Sequence, residues 1–362
     1  MVATTELLSY PITIATGALD RLGDVVCDVT PNHRVLAITD GTVAGLYGQR
    51  VTNALKRRMA NSQGVRSFDI REETKTRATW AAISDELLSR RFGRDTTLVA
   101  LGGGVVGDLV GFVAATYMRG VPFVQVPTTL LAMVDASVGG KTGVDTPHGK
   151  NLVGAFHPPS AVVIDPSVLE TLPQPHYRAG FAEIIKHGVI ADAAYLASVV
   201  AFLERPGSAP EGSYDLAPLI ERSVQIKAGV VGRDEREAGL RKVLNFGHTI
   251  AHAIEGATAY RVPHGEAVAI GMVVEARIAE RAGVAERGIA DEIARVCTAA
   301  GLPTTLPKVD VRSLIKFTHA DKKARGGSVE YALPKRIGEM AGAERGWAIP
   351  VDDALVTEVL RS

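Results

Sequence analysis

Residues 96–108 read TTLVALGGGVVGD, and the first half of the fold follows from this stretch. Thr96 to Leu101 is a short apolar run bounded by glycine, the pattern of a buried strand. Gly102-Gly103-Gly104-Val105-Val106-Gly107-Asp108 supplies a turn, after which a helical pattern runs from about Leu109 to Tyr117. A strand, a glycine turn and a helix in that order let backbone N–H groups approach a pyrophosphate at the helix N-terminus. A dinucleotide is therefore expected at this glycine turn, with a tight structural turn as the alternative. No acidic residue ends the next strand, so Asp40, closing the first strand, is the candidate partner for a ribose.

The same rhythm extends on both sides. Arg34 to Asp40 reads as a strand and is followed by a helical pattern through Met59; Val65 to Ile70 is followed by a helix near Arg77 to Phe92; Phe123 to Val126 follows the glycine unit. Strands alternating with helices predict a Rossmann-like α/β domain around a parallel sheet, with ligands at the carboxyl ends of the strands. Pro127-Thr128-Thr129 closes one such strand and offers two hydroxyls, although a helix N-cap is the commoner use of a threonine there.

After Ala161 to Asp165 the rhythm changes. Ala179 to Val189, Tyr214 to Val231, Val243 to Glu255, Glu266 to Ala282 and Gly288 to Ala300 all read as helices without convincing strands between them. A mostly helical second domain is expected, with the boundary near Glu170 to Pro175, where Pro173 and Pro175 break any helix. The division is 1–171 and 172–362, with the active site expected in the cleft between them. Glu204 to Pro218, rich in Pro, Gly and Ser, reads as a surface loop.

Composition narrows the function. The 362 residues are 46% hydrophobic, enough for two cores, and Lys plus Arg (40) balance Asp plus Glu (40). No net field is available to hold nucleic acid or an anionic membrane, so neither is expected as a partner and any anion site must be a local cluster. Two distant cysteines, Cys27 and Cys297, and no basic-then-apolar leader fit a cytoplasmic protein. The apolar window Leu98 to Met118 contains Asp108 and several glycines, the punctuation of strand and turn, not of a membrane span.

His248 and His252 are four apart in a helical run and project from one face. His264 follows a proline at a helix start, and Glu183 stands in an otherwise apolar helix where a carboxylate needs a partner. One carboxylate and two histidines with an open position make a catalytic divalent-metal site of the zinc type. Spacing leaves the third ligand open, with His252 and His187 also available. Lys141, Lys150, Lys186, Lys227, Arg241 and the pair Lys322-Lys323 stand in glycine-rich or apolar segments. In Ser137-Val138-Gly139-Gly140-Lys141-Thr142-Gly143 the glycines leave open backbone beside a reachable ammonium, suited to phosphate or carboxylate. The spacing is not that of a P-loop.

Together these segments resemble the 3-dehydroquinate synthases from about Asp40 to Gly338. The matching stretches are Gly102 to Asp108, Gln125 to Leu131, Asp135 to Thr142, Gly149 to Phe156, Gly180 to Gly188, Asp234 to Glu255 and His264 to Glu266. The resemblance implies that Glu183, His248 and His264 hold the metal, zinc or in some members cobalt. It implies NAD contacts from Asp40, Glu72, Lys75, Gly104, Val105, Asp108, Thr128 and Thr129, with Lys141 and Lys150 beside the cofactor. It also implies substrate contacts from Asp135, Lys141, Lys150, Asn151, Lys186, Lys227, Arg241, Asn245, His252 and a lysine of the Lys322-Lys323 pair, taken as Lys323. Arg119 would reach the phosphate across the interface of a homodimer. Two departures stand out: Thr42 where the family often has Asn, and Ala251 where it often has Gly, which asks for more room between packed elements.

The reaction so implied converts 3-deoxy-D-arabino-heptulosonate 7-phosphate, a small phosphorylated sugar acid, to 3-dehydroquinate and phosphate. Oxidation, phosphate elimination, re-reduction, ring opening and aldol closure follow one another on one enzyme. The alternatives are a sister sugar phosphate cyclase of the inosose or valiolone type and a metal-dependent polyol dehydrogenase; a non-catalytic protein that kept the fold is a third. Arg241 and Lys150 favour a substrate bearing a carboxylate.

Overall fold

A computed structural model describes residues 8–205, 216–320, 324–325 and 328–362. The chain divides into two compact units, Met1–Leu172 and Pro173–Ser362. Each is built differently.

The first unit runs β1 (Ile12–Ile14), α1 (Leu22–Val29), β2 (Arg34–Asp40), α2 (Gly41–Arg58), β3 (Ser62–Phe68), α3 (Arg77–Ser89), β4 (Thr96–Gly102), α4 (Gly104–Thr116) and β5 (Phe123–Pro127). A short π-helical turn (Ala132–Ala136), β6 (Lys141–Thr146), β7 (Gly149–Phe156) and β8 (Ala161–Ile164) complete it. Six parallel strands form one sheet in the order β1-β8-β5-β4-β2-β3. Every residue of β4 is buried, as an apolar run covered on both faces must be, and Leu98, Ala100, Leu109, Val110, Val113 and Phe123 share one core cluster. α2 leads to β3 on one side of the sheet order, while α4 leads to β5 on the other. The order therefore reverses between β2 and β4, and Asp40 and Gly102 end the two strands that flank this switch point, where open α/β sheets take their ligands.

One reading needs correction here. Of the glycines around Lys141, Gly139 and Gly140 take positive φ ahead of β6, whereas Gly143 does not leave open backbone: it lies in an antiparallel hairpin of β6 and β7, in which Lys141 pairs with Phe156 and Gly143 with Gly154. A Cβ on Gly154 would lie 2.1 Å from the Thr142 carbonyl oxygen, so the close strand approach requires glycine there.

The second unit runs α5 (Gln174–Ala191), α6 (Ala193–Leu203), α7 (Ala217–Arg233), α8 (His248–Ala257), α9 (His264–Arg281), α10 (Ile289–Ala299) and α11 (Val311–Ala320). Then come β9 (Ala324–Arg325), β10 (Ser328–Tyr331), β11 (Pro334–Arg336), β12 (Glu339–Met340), β13 (Ile349–Val351) and α12 (Asp353–Arg361). The late strands form a three-stranded and a two-stranded sheet in an otherwise helical unit. α5 is buried from Gly180 to Ile190 and α9 from Ala267 to Ala276, so both are central and apolar nearly all round.

Two helix starts differ from the sequence reading. α5 begins at Gln174, ahead of Ala179, because Pro173 caps it and Pro175 occupies its first turn, where a missing N–H costs nothing. The expected helix from Val243 is interrupted: Leu240–Asn245 is a 3-10 turn, Gly247 adopts φ 80°, and α8 starts only at His248. Most of the expected loop Glu204 to Pro218 lies outside the described residues. No described helix is long and apolar enough to cross a membrane.

Candidate active site

In the first unit the glycine turn is a backbone device. Gly103 is the N-cap of α4 without a side-chain cap, so the N–H groups of the first turn face outward with no intrahelical acceptor. A Cβ on Gly103 would meet Thr129 Cγ2 at 3.2 Å, and one on Gly104 would meet Ala136 Cβ at 3.2 Å. One on Gly107 would come within 2.6 Å of Gln125 Oε1, so this glycine lets α4 lie close on β5. Thr128 N donates to the Gly102 carbonyl at 2.9 Å, and Thr129 Oγ1 accepts from Ala132 N at 3.2 Å, the capping use of a threonine. A helix N-terminus bare of side chains at a switch point fits a pyrophosphate.

Polar residues gather beside it. Lys75, 4% exposed, donates from Nζ to Asp108 Oδ2 and to Asn151 Oδ1, both at 2.6 Å. Burial pushes the Asp108 carboxyl above the ordinary value while the Lys75 ammonium pulls it back. Lys150 Nζ meets Glu72 Oε1 at 2.6 Å, a half-exposed pair. Asn151 is left-handed at φ 53°, a conformation asparagine tolerates, and its N–H donates to Asp145 Oδ1 at 2.8 Å. The hairpin thus delivers Lys150 and Asn151 to Glu72 and Lys75. Asp40 caps α2, its Oδ1 accepting from Thr42 N at 2.8 Å and Val43 N at 3.0 Å. The contact made by Thr42 there is a backbone one, which any residue could supply. Asp135 lies in the π-helical turn, Val105 in the first turn of α4, and Lys141 is exposed at the start of β6. Arg119 lies past the opposite end of α4, exposed and left-handed at φ 69°.

In the second unit Glu183, His248 and His264 form a group whose ligand atoms lie within 4.8 Å of one another. His248 Nε2 is 3.6 Å and His264 Nε2 4.0 Å from the same oxygen, Glu183 Oε1. Gly265 explains how they meet. A Cβ there would come within 2.4 Å of the Ala179 carbonyl oxygen, so the start of α9 abuts α5 one turn before Glu183. His248 is held by Gly247, whose Cβ would strike Met272 Cγ at 2.7 Å. Gly271, facing Gly247 and Ala251 N, supplies the room that Ala251 asks for.

Glu183 is fully buried; Lys186 Nζ forms an ion pair with its Oε2, while Oε1, the oxygen that faces the two imidazoles, accepts no hydrogen bond from a described residue. A buried carboxylate facing two imidazole Nε2 atoms, whose separations approach the ~3.3 Å between neighbouring ligands of a tetrahedral zinc ion, fits a divalent cation. His264 completes the group, while His252 extends outward with its ring centroid 5.6 Å from that of His248. His187 turns its Nδ1 to Ser223 Oγ at 2.6 Å.

Lys227 is buried on α7. Arg241 and Asn245 lie on the 3-10 turn, where Arg241 bonds the Glu235 carbonyl and Asn245 Nδ2 donates to Glu237 Oε1 at 2.6 Å. Asp234 ties this loop down, accepting from Ala238 N, Gly239 N and Arg241 N. Burial alone would raise its carboxyl, but these bonds and the Arg241 charge hold it below the ordinary carboxylate value. Lys322 and Lys323 lie outside the described residues. Sequence reading missed two acids: Glu275, which accepts from Gly247 N and Ile250 N, and Glu255, whose Oε1 is 3.4 Å from His264 Nδ1. The logic that singled out Glu183, a carboxylate in an apolar helix, applies equally to Glu275.

The 3-dehydroquinate synthase N-terminal family profile matches residues 66–179, and the C-terminal one residues 180–324. The chain belongs to the 3-dehydroquinate synthase family. A 3-dehydroquinate synthase of a Synechococcus strain is 46% identical over 92% of this chain and 91% of its own length. That of Nostoc punctiforme is 44% identical over 98% and 95%. Among solved structures, a 2-epi-5-epi-valiolone synthase from Streptomyces hygroscopicus with NAD+ and Zn2+ bound is 28% identical, covers 100% of this chain and 98% of its own, and superposes with a TM-score of 0.83. A 2-deoxy-scyllo-inosose synthase complexed with carbaglucose-6-phosphate, NAD+ and Co2+ has the same fold, with a TM-score of 0.86 at 24% identity over 100% of this chain and 99% of that one.

Proposed function

We propose that this chain is a cytoplasmic, homodimeric 3-dehydroquinate synthase, a phosphate-eliminating lyase. It converts 3-deoxy-D-arabino-heptulosonate 7-phosphate to 3-dehydroquinate and phosphate with NAD and one divalent metal ion, zinc or cobalt. The likeness to the family over nearly the whole chain supports the reaction. The observation that carries the chemistry is the buried Glu183 carboxylate faced by the Nε2 atoms of His248 and His264.

Glu183, His248 and His264 hold the metal. Gly103, Gly104 and Val105 offer backbone N–H groups to the NAD pyrophosphate, and Asp40, Glu72, Lys75, Asp108, Thr128 and Thr129 surround the cofactor, with Lys141 and Lys150 beside it. When bound, the metal serves as a Lewis acid toward substrate hydroxyls, and NAD accepts and returns one hydride within a turnover.

Lys141, Lys150, Asn151 and Arg119, the last from a second copy, clamp the substrate phosphate and fix the geometry of elimination. Lys186, Lys227, Arg241 and Lys323 orient the carboxylate and ring oxygens. Asp135 and Asn245 bond to hydroxyls. His252, whose imidazole can gain and lose a proton near neutral pH, moves protons.

The test is phosphate release by the purified protein supplied with the heptulosonate phosphate. Phosphate should appear with no net NADH, and a chelator should stop it. Stoichiometric NADH would make the chain a dehydrogenase; release only from heptulose phosphates lacking the carboxylate would make it a sister cyclase.

A further inference from the structure

α8 begins with one imidazole, His248, and carries Glu255; α9 begins with the other, His264, and carries Glu275. Glu275 is fully buried, and its two oxygens accept from Gly247 N at 2.7 Å and Ile250 N at 3.0 Å. These are N-terminal donors of α8, whose N-cap is a glycine without a side chain to satisfy them. The left-handed Gly247 has no room for a Cβ against Met272 N at 3.0 Å and Val268 O at 3.1 Å. The turn that launches His248 is therefore gripped by α9 through both its backbone and Glu275. Glu255, with its side chain 4% exposed, returns the contact: its Oε1 lies 3.4 Å from His264 Nδ1.

The consequence is a choice of ring nitrogen. His248 Nδ1 lies 3.2 Å from the Phe246 carbonyl oxygen, an acceptor only, so a proton on Nδ1 is favoured and the Nε2 lone pair is turned to Glu183 Oε1. A carboxylate beside His264 Nδ1 has the same effect on the second ring.

We propose that Glu275 and Glu255 are a reciprocal pair of positioning residues for the metal ligands: each stands on one helix and sets the imidazole that begins the other. This rests on the metal reading above, and the test separates the two. Metal-free wild type, Glu275→Gln, Glu255→Gln and His248→Ala are titrated with Co2+ against a competing chelator, reading the Kd and the visible Co2+ spectrum, and their metal-free thermal midpoints are compared.

Each Gln variant should bind Co2+ about 10- to 100-fold more weakly with an altered spectrum, because loss of an outer partner of a ligating histidine has effects of that order. Glutamine at 275 keeps one acceptor and turns an amide N–H toward a backbone N–H. A merely structural role would lower the metal-free midpoint and leave Kd and spectrum at the wild-type values, which would overturn the proposal. Should Glu275→Gln fail to fold, Glu255→Gln decides alone. Co2+ binding by wild type no tighter than by His248→Ala would instead sink the metal reading itself.

Discussion

The glycine turn of the first unit and the histidine group of the second are built on opposite principles. The first is made of backbone: α4 presents N–H groups, and Gly103, Gly104 and Gly107 contribute by having no side chain. The second is made of side chains from α5, α8 and α9, brought together where glycines let these helices touch. A backbone site is local in sequence and tolerates change except where an added atom has no room. A side-chain site is dispersed and depends on single atoms.

The sharpest break of that contrast is removal of one such atom. Glu183→Gln or His248→Ala should lower phosphate release by ~10³-fold or more, since Lewis-acid stabilisation is worth several kcal/mol. Metal content measured on the same samples should fall with activity, while NAD binding, proposed for the other unit, should stay near wild type. Loss of NAD binding to the same extent would mean that the two sites are not separable.

Next come the glycines. Gly271→Ala would place a Cβ 2.0 Å from the Gly247 carbonyl oxygen, backbone against backbone, and should cost ~3 kcal/mol in urea unfolding. Gly104→Ala meets only the Ala136 methyl at 3.2 Å and should cost less stability, its effect appearing instead as weaker NAD binding. Equal destabilisation by both would refute the distinction between a packing glycine and an approach glycine.

The smallest effect distinguishes two acids by the sign of their pH dependence. Asp234, held below its ordinary value, contributes stability that is present above the unfolded pKa of about 3.9 and is lost as pH falls through the lower folded value. Asp108, raised by burial, does the reverse: its contribution declines as pH rises from about 3.9 through its higher folded value. In urea unfolding followed across this acid range, wild type should gain on Asp234→Asn and lose ground to Asp108→Asn as pH increases. Parallel curves would show that these burial and hydrogen-bond effects are not what sets the two carboxyls.

Legibility followed the same divide. β4, the glycine turn and α4 were readable because apolar periodicity and glycine spacing act over a dozen neighbouring residues. The hairpin of β6 and β7 was not, because glycines that permit close strand pairing look like glycines that open a loop. The start of α8 was misread for a related reason: nothing in the local pattern from Val243 to Glu255 reveals that Gly247 must turn left-handed beneath Met272. Glu183 drew attention as a lone acid among apolar neighbours, and Glu275 satisfies the same test, but its partners are backbone N–H groups of another helix that no motif advertises.

The amino-acid order by itself determined an alternating α/β half with a glycine-lined helix N-terminus, a helical half after it, and a short list of acids, imidazoles and cations able to do chemistry. Those properties are set by neighbours along the chain. Spacing along the chain left His252 and His264 equally available, and it is the packing of α5, α8 and α9 that brings His264 to Glu183 and His248, as packing likewise brings Lys75 to Asp108 and Asn151. Such choices depend on which helices and turns approach within a few ångströms, a distance fixed by packing between segments far apart in sequence.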